Sequence, residues 1–148
     1  MSHNKNTFVK DSDQKAFLKL RSGQFTWWDS MECAMSGLRF LFCSERNFRI
    51  HLAIALSVLL AGWLLKLETL EWALLIMMIG LMLAVEALNT AIERVVDLAC
   101  DKKFHQLART AKDISAGACL MMACTSVAFG LILFLPKLIR YISEGFVL

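Results

Sequence analysis

Twenty-two consecutive residues without a charge, Ile114 to Leu135, constrain this chain more than any other feature. About 20 apolar residues are what an α-helix needs to cross the hydrocarbon core of a bilayer. Pro136, Lys137 and Arg140 follow at once and read as an exit through the membrane interface. Two further segments share the character. Ile50 to Leu65 is uncharged apart from any proton on His51 and ends against Lys66, and a second run starts at Leu70 and stays uncharged from Trp72 to Val85. The second run then keeps a helical pattern through VEALNTAIERVVDL while acquiring charges, so its far end is expected to leave the bilayer. With 57% hydrophobic residues in 148, little polar surface remains to solvate a water-soluble globule. Three or four helices of this length bury few of their own side chains, so contacts from neighbouring subunits are expected.

The expected organisation is a polar N-terminal extension (1–22), a membrane domain (23–140) and a short tail (141–148), with spans at about 50–66, 70–98 and 114–136. Residues 1–26 lack the apolar core of a signal peptide. Before the first span, FTWWDSMECAMSGLRFLF is too polar to cross a bilayer and too apolar for a linker, which suits an amphipathic helix on the membrane surface or one packed on the bundle. Eight Lys and Arg residues precede Ile50, four lie between Cys100 and Asp113, and the first connection holds only Lys66. The positive-inside rule therefore puts the N-terminus and the second connection on the cytoplasmic side of the cell membrane. Cys33, Cys43, Cys100, Cys119 and Cys124 form no C-x-x-C pair and read as reduced packing residues.

Chemistry concentrates where the second run turns polar. Glu86, Asn89, Glu93 and Asp97 recur at intervals of three, four and four, which places them on one helical stripe. At about 1.5 Å per residue the stripe runs about 16 Å, from within the bilayer to its cytoplasmic face. A carboxylate at membrane depth is costly and marks a functional site unless it merely ties helices together, the reading that suits Asp97 alone. Carboxylates there offer two chemistries: taking a proton from a hydroxyl and holding a divalent cation. Glu45, Arg46, Arg49 and His51 gather before the first span, and DKKFHQLARTAKD after the second offers Lys102, Lys103, His105, Arg109 and Lys112 to an anion, with Asp113 adjacent. No glycine precedes a lysine, and no H-R-D or D-F-G triplet occurs, so the phosphate-binding loops of soluble kinases are missing. Any nucleotide must be held by side-chain cations and carboxylate-bound Mg²⁺.

ERNFRIH, EALNTAIERVVDL and ARTAKDISAGA, in this order around three spans, resemble the prokaryotic diacylglycerol kinase family, which includes undecaprenol kinases. The resemblance covers about Ser30 to Lys137. It implies an all-α membrane protein with three transmembrane helices and an N-terminal amphipathic surface helix. It further implies a homotrimer with active sites shared between subunits, and no nucleic-acid partner. Carried over by motif, Glu86 is the base that takes the proton of the lipid hydroxyl, and Asn89 orients Glu86 and the acceptor. Glu45 and Glu93 bind the Mg²⁺ that accompanies ATP, while Lys103, Phe104, His105, Lys112 and Asp113 match positions around the nucleotide. Asn47, Phe48 and Arg49 line the path of the lipid. WWDSMEC departs from the family, which often has a basic residue near the nucleotide there, so no site residue is assigned to that stretch.

ERNFRIH, LEWALLIMMIG and FLPKL look more like the undecaprenol branch, and diacylglycerol is the alternative acceptor. Two readings from other classes remain open at this point. One is a transporter subunit relaying protons or cations along the stripe, which predicts no ATP turnover. The other is a non-catalytic anchoring subunit, whose function would survive Glu86→Gln and Glu93→Gln.

Overall fold

The computed structural model describes residues 18, 19, 22, 23, 26–101 and 103–143, and what was expected of Lys102 and most of the two termini lies outside them. Every regular element among the described residues is helical, and the long helices are α1 (Trp27–Ser44), α2 (Arg46–Leu64), α3 (Thr69–Ala99) and α4 (Gln106–Ser143). The chain divides into two units, Met1–Ser44 and Glu45–Leu148.

In the first unit, Thr26 and Asp29 start α1 reciprocally. The Thr26 backbone N–H donates to Asp29 Oδ2 at 2.8 Å, and the Asp29 N–H donates to Thr26 Oγ1 at 3.3 Å. This is the capping box, with aspartate in the place of glutamate. Lys19 donates to Asp29 Oδ1 at 2.8 Å, and together these bonds hold the Asp29 carboxyl well below the usual carboxylate range. Trp28, Met31, Met35, Leu38 and Phe42 are exposed at spacings of three and four, which lays an apolar stripe along one face of α1.

In the second unit α3 is the central element and packs against both α2 and α4. All three helices are long and apolar enough to cross a membrane, as a membrane protein requires. At 38 residues α4 reaches about 57 Å, nearly twice the hydrocarbon thickness, so its ends lie in more polar surroundings. One feature differs from the sequence reading and one extends it. The segment from Gln106 to Asp113, read as loop, forms the first two turns of α4, because Gln, Leu, Ala, Arg and Lys all favour helix. Pro136, read as the exit point, lies inside α4, which continues to Ser143. Long apolar helices tolerate proline where neighbouring groups brace the backbone, and Lys137 is tied to Glu71 of α3 at 2.9 Å.

The α2–α3 connection is tight. Leu67 N–H donates to Gly62 O at 3.1 Å, and Lys66 takes a positive φ of 51°, so the turn closes over the end of α2. Gly62 gives the turn room there, since a Cβ would lie 2.8 Å from Leu67 Cδ1 and the leucine would have to shift. Glu68 then starts α3 in a full capping box with Glu71. The protein interior is thin: among the described residues of this unit, Phe48, Ala55, Leu67, Leu75 and Met82 are the buried hydrophobic side chains. A mostly apolar cavity of about 260 Å³ opens between the three helices, lined by residues such as Ala55, Met82, Leu83, Ala123 and Gly130, with His51 and Ser126 as polar members.

Candidate active site

The stripe on α3 runs from a dry end to a wet one. Glu86 is only 4% exposed and Asn89 9%, although both carry groups that water would solvate well. Glu93 and Asp97, one and two turns beyond Asn89, are partly exposed. Thr90 on α3 and Ser115 on α4 are the other buried polar residues of the described chain, so three of the four lie within five residues of one another on α3.

Asn89 couples the two ends. Its Nδ2 donates to Glu93 Oε1 at 3.2 Å, which fixes the orientation of the amide, because the reverse would set two oxygens against each other. Oδ1 is then left buried without a hydrogen-bond partner. A buried acceptor in that condition costs free energy unless a donor arrives, and a hydroxyl brought by a substrate would supply one. The Cys119 thiol of α4 donates weakly to Val85 O at 3.7 Å and also interacts with the Glu86 carboxyl, which closes this end with apolar bulk.

The wet end opens into a cleft of about 390 Å³ built from the end of α3, the short connection and the start of α4. Lys103, Phe104, His105, Lys112 and Asp113 all line it, together with Asp97 and Arg109. Five positions assigned to a nucleotide from sequence thus share one concavity. The backbone makes the turn with Asp101 at a positive φ of 49° and Lys103 N–H donating to Cys100 O at 2.8 Å. His105 Nδ1 accepts the Leu107 N–H at 3.2 Å, an arrangement that starts α4 and leaves Nε2 as the ring donor. Lys112 donates to Asp97 at 2.5 Å, so Asp97 does tie α3 to α4. Arg109 and Asp113 approach to 3.7 Å, and both are well exposed, a pairing of little strength.

Glu45 and Glu93 are not part of that cleft's lining. Glu45 precedes α2 and makes no side-chain cap bond; its Oε1 accepts from Arg94 Nη2 at 2.9 Å. Among the described residues no three His, Cys, Asp or Glu side chains converge to hold a metal ion by themselves. Asn47 and Arg49 are exposed at the start of α2, whereas Phe48 is buried. Sequence reasoning did not single out Arg94, which sits next to Glu93 but off the stripe and reaches Glu45 at the start of another helix.

The prokaryotic diacylglycerol kinase family profile matches residues 32–134. The chain is 50% identical over 95 residues to the undecaprenol kinase of Bacillus subtilis, a match covering 64% of this chain and 76% of that protein. It is 42% identical over 110 residues to a diacylglycerol kinase of Synechocystis, covering 74% of this chain and 63% of the relative, and 37% identical over 92 residues to that of Escherichia coli K12, covering 62% and 74%. The matched region spans α2, α3 and most of α4, with the buried Glu86 and Asn89 and the basic cleft inside it, and the chain belongs to the prokaryotic diacylglycerol kinase family.

Proposed function

We propose that this chain is an integral membrane lipid kinase that moves the γ-phosphoryl group of ATP to the hydroxyl of undecaprenol, giving undecaprenyl phosphate. The observation that carries the reading is a buried carboxylate and a buried, partnerless amide oxygen on a helix whose next turns reach a basic cleft. A lipid alcohol and a nucleotide need such a pair of sites, one dry and one wet, within reach of each other. Undecaprenol is preferred over diacylglycerol because the 50% identical relative carries that name, and the relatives named for diacylglycerol are less similar.

In this reading the hydroxyl arrives beside Glu86 and donates toward the carboxylate or Asn89 Oδ1. The hydroxyl oxygen attacks the γ-phosphorus in line, the bond to the β-γ bridging oxygen breaks, ADP leaves, and the proton passes to Glu86 and then to water. Glu45 and Glu93 would hold the Mg²⁺ that arrives on ATP. Such an ion keeps phosphate oxygens and waters as ligands, so two carboxylates suffice. Lys103, His105 and Lys112 neutralise the polyphosphate, Phe104 lies against the base, and Asp113 accepts from the nucleotide. Catalysis is then mostly positioning and charge neutralisation. Asn47, Phe48 and Arg49 border the lipid's path, and the apolar cavity that begins one turn below Glu86 suits its hydrocarbon.

The thin core and the abundant exposed apolar side chains suit contacts with lipid and neighbouring subunits. The homotrimer follows from the family resemblance, and the cytoplasmic membrane with the N-terminus in the cytoplasm follows from the Lys and Arg distribution. The apolar stripe of α1 would lie on the bilayer surface. The test is phosphate transfer from labelled Mg·ATP by the purified protein in micelles doped with undecaprenol or diacylglycerol. Faster transfer to undecaprenol supports the proposal. Faster transfer to diacylglycerol corrects the acceptor, and transfer to neither rejects the kinase.

A further inference from the structure

Two cations of the second unit are held across helix boundaries by carboxylates: Arg94 by Glu45 at 2.9 Å, and Lys112, which lines the basic cleft, by Asp97 at 2.5 Å. Lys112 already has a role on the nucleotide in the reading above, whereas Arg94 has none. Its partner is the unusual member of the pair. Glu45 stands at the N-cap position of α2, yet its carboxylate makes no cap bond and turns to Arg94 instead. The pair is open to water, with 56% of the Arg94 side chain and 25% of the Glu45 side chain exposed. Exposed ion pairs exchange partners at little cost.

We propose that Arg94 is a nucleotide-binding residue held in reserve by Glu45, an inference that rests on the lipid-kinase reading. When Mg·ATP arrives, Glu45 turns to the divalent cation. A guanidinium left beside that cation is repelled by it and attracted by the polyphosphate. Arg94 therefore transfers its planar fork from carboxylate to phosphate, a geometry that arginine matches with two parallel hydrogen bonds. Charges balance throughout: one carboxylate exchanges an arginine for the metal, and the arginine exchanges a carboxylate for a phosphate oxygen. Before the exchange the pair ties the start of α2 to α3, so nucleotide arrival also loosens that tie.

The experiment is equilibrium binding of a non-hydrolysable Mg·ATP analogue to the purified full chain in detergent, together with KM values for Mg·ATP and for the lipid and the unfolding temperature. The proteins compared are the unsubstituted chain, Arg94→Gln and Arg94→Lys. Loss of one charge-assisted contact weakens binding about 10-fold. Arg94→Gln is expected to weaken analogue binding and to raise KM for Mg·ATP by that factor, leaving KM for the lipid in place. Arg94→Lys keeps the charge but loses the fork, and is expected to recover only part of the affinity. Analogue binding equal to that of the unsubstituted chain overturns the proposal and leaves Arg94 a helix tie alone. So does a fall in unfolding temperature with both KM values raised together. If the unsubstituted chain binds the analogue but phosphorylates neither lipid, the kinase reading fails while the binding comparison still decides the role of Arg94.

Discussion

Two glutamates stand at helix starts in this protein and use their carboxylates differently. Glu68 precedes α3 and shares a capping box with Glu71, whose Oε2 accepts the Glu68 N–H at 2.7 Å. Glu45 precedes α2 in the same extended conformation, makes no cap bond, and reaches across to Arg94. A similar contrast separates two inter-helix ion pairs. Glu71 accepts from the Glu68 N–H at 2.7 Å and from Lys137 at 2.9 Å, so its carboxylate is engaged twice by fixed partners. Glu45 has a single exposed arginine on Oε1. A carboxylate saturated by its own fold is a brace, whereas one withheld from its helix cap is available for a ligand.

Substitutions sharpen this contrast. Glu45→Gln or Glu93→Gln removes a proposed metal ligand and should raise KM for Mg·ATP by about 100-fold, as titrated kinetics would show. Unchanged nucleotide affinity in Glu45→Gln would erase the distinction between the two glutamates. Glu68→Ala should leave both KM values alone and cost about 1 kcal/mol of stability, read from chemical denaturation in detergent. Lys137→Met at the Glu71 pair should cost less, because the partners are partly solvated and Glu71 keeps its backbone bond.

The smallest effect is a pH dependence at α1. Asp29 is held below the usual carboxylate range by Lys19 and Thr26, so its contribution is fully present above an ordinary carboxylate value of about 4 and fades as pH falls further. Amide exchange at Thr26, Asp29 and Ser30, corrected for intrinsic rates, should show lower protection at pH 3 than at pH 7. Equal protection would show that the Asp29 bonds do not hold the helix start.

The sequence shows what is periodic and what is apolar. Glu86, Asn89, Glu93 and Asp97 were legible as one stripe because a single helix fixes their spacing, and the long apolar runs were legible because a bilayer demands them. The Arg94–Glu45 and Lys137–Glu71 pairs were not, because each depends on which helices become neighbours. The start of α4 was misread because its cations suggested a loop, although the intervening residues favour helix and the His105 imidazole caps the first turn. The unpartnered Asn89 Oδ1 is also invisible in sequence, since it follows from the amide being turned by Glu93.

The most direct test of the account is Glu86→Gln, measured for lipid phosphorylation and for Mg·nucleotide binding on the same preparation. The glutamine is close in size and cannot accept the hydroxyl proton, so turnover should fall by about 10² to 10⁴ with nucleotide affinity kept. Turnover near that of the unsubstituted chain would show that the buried carboxylate is not the base.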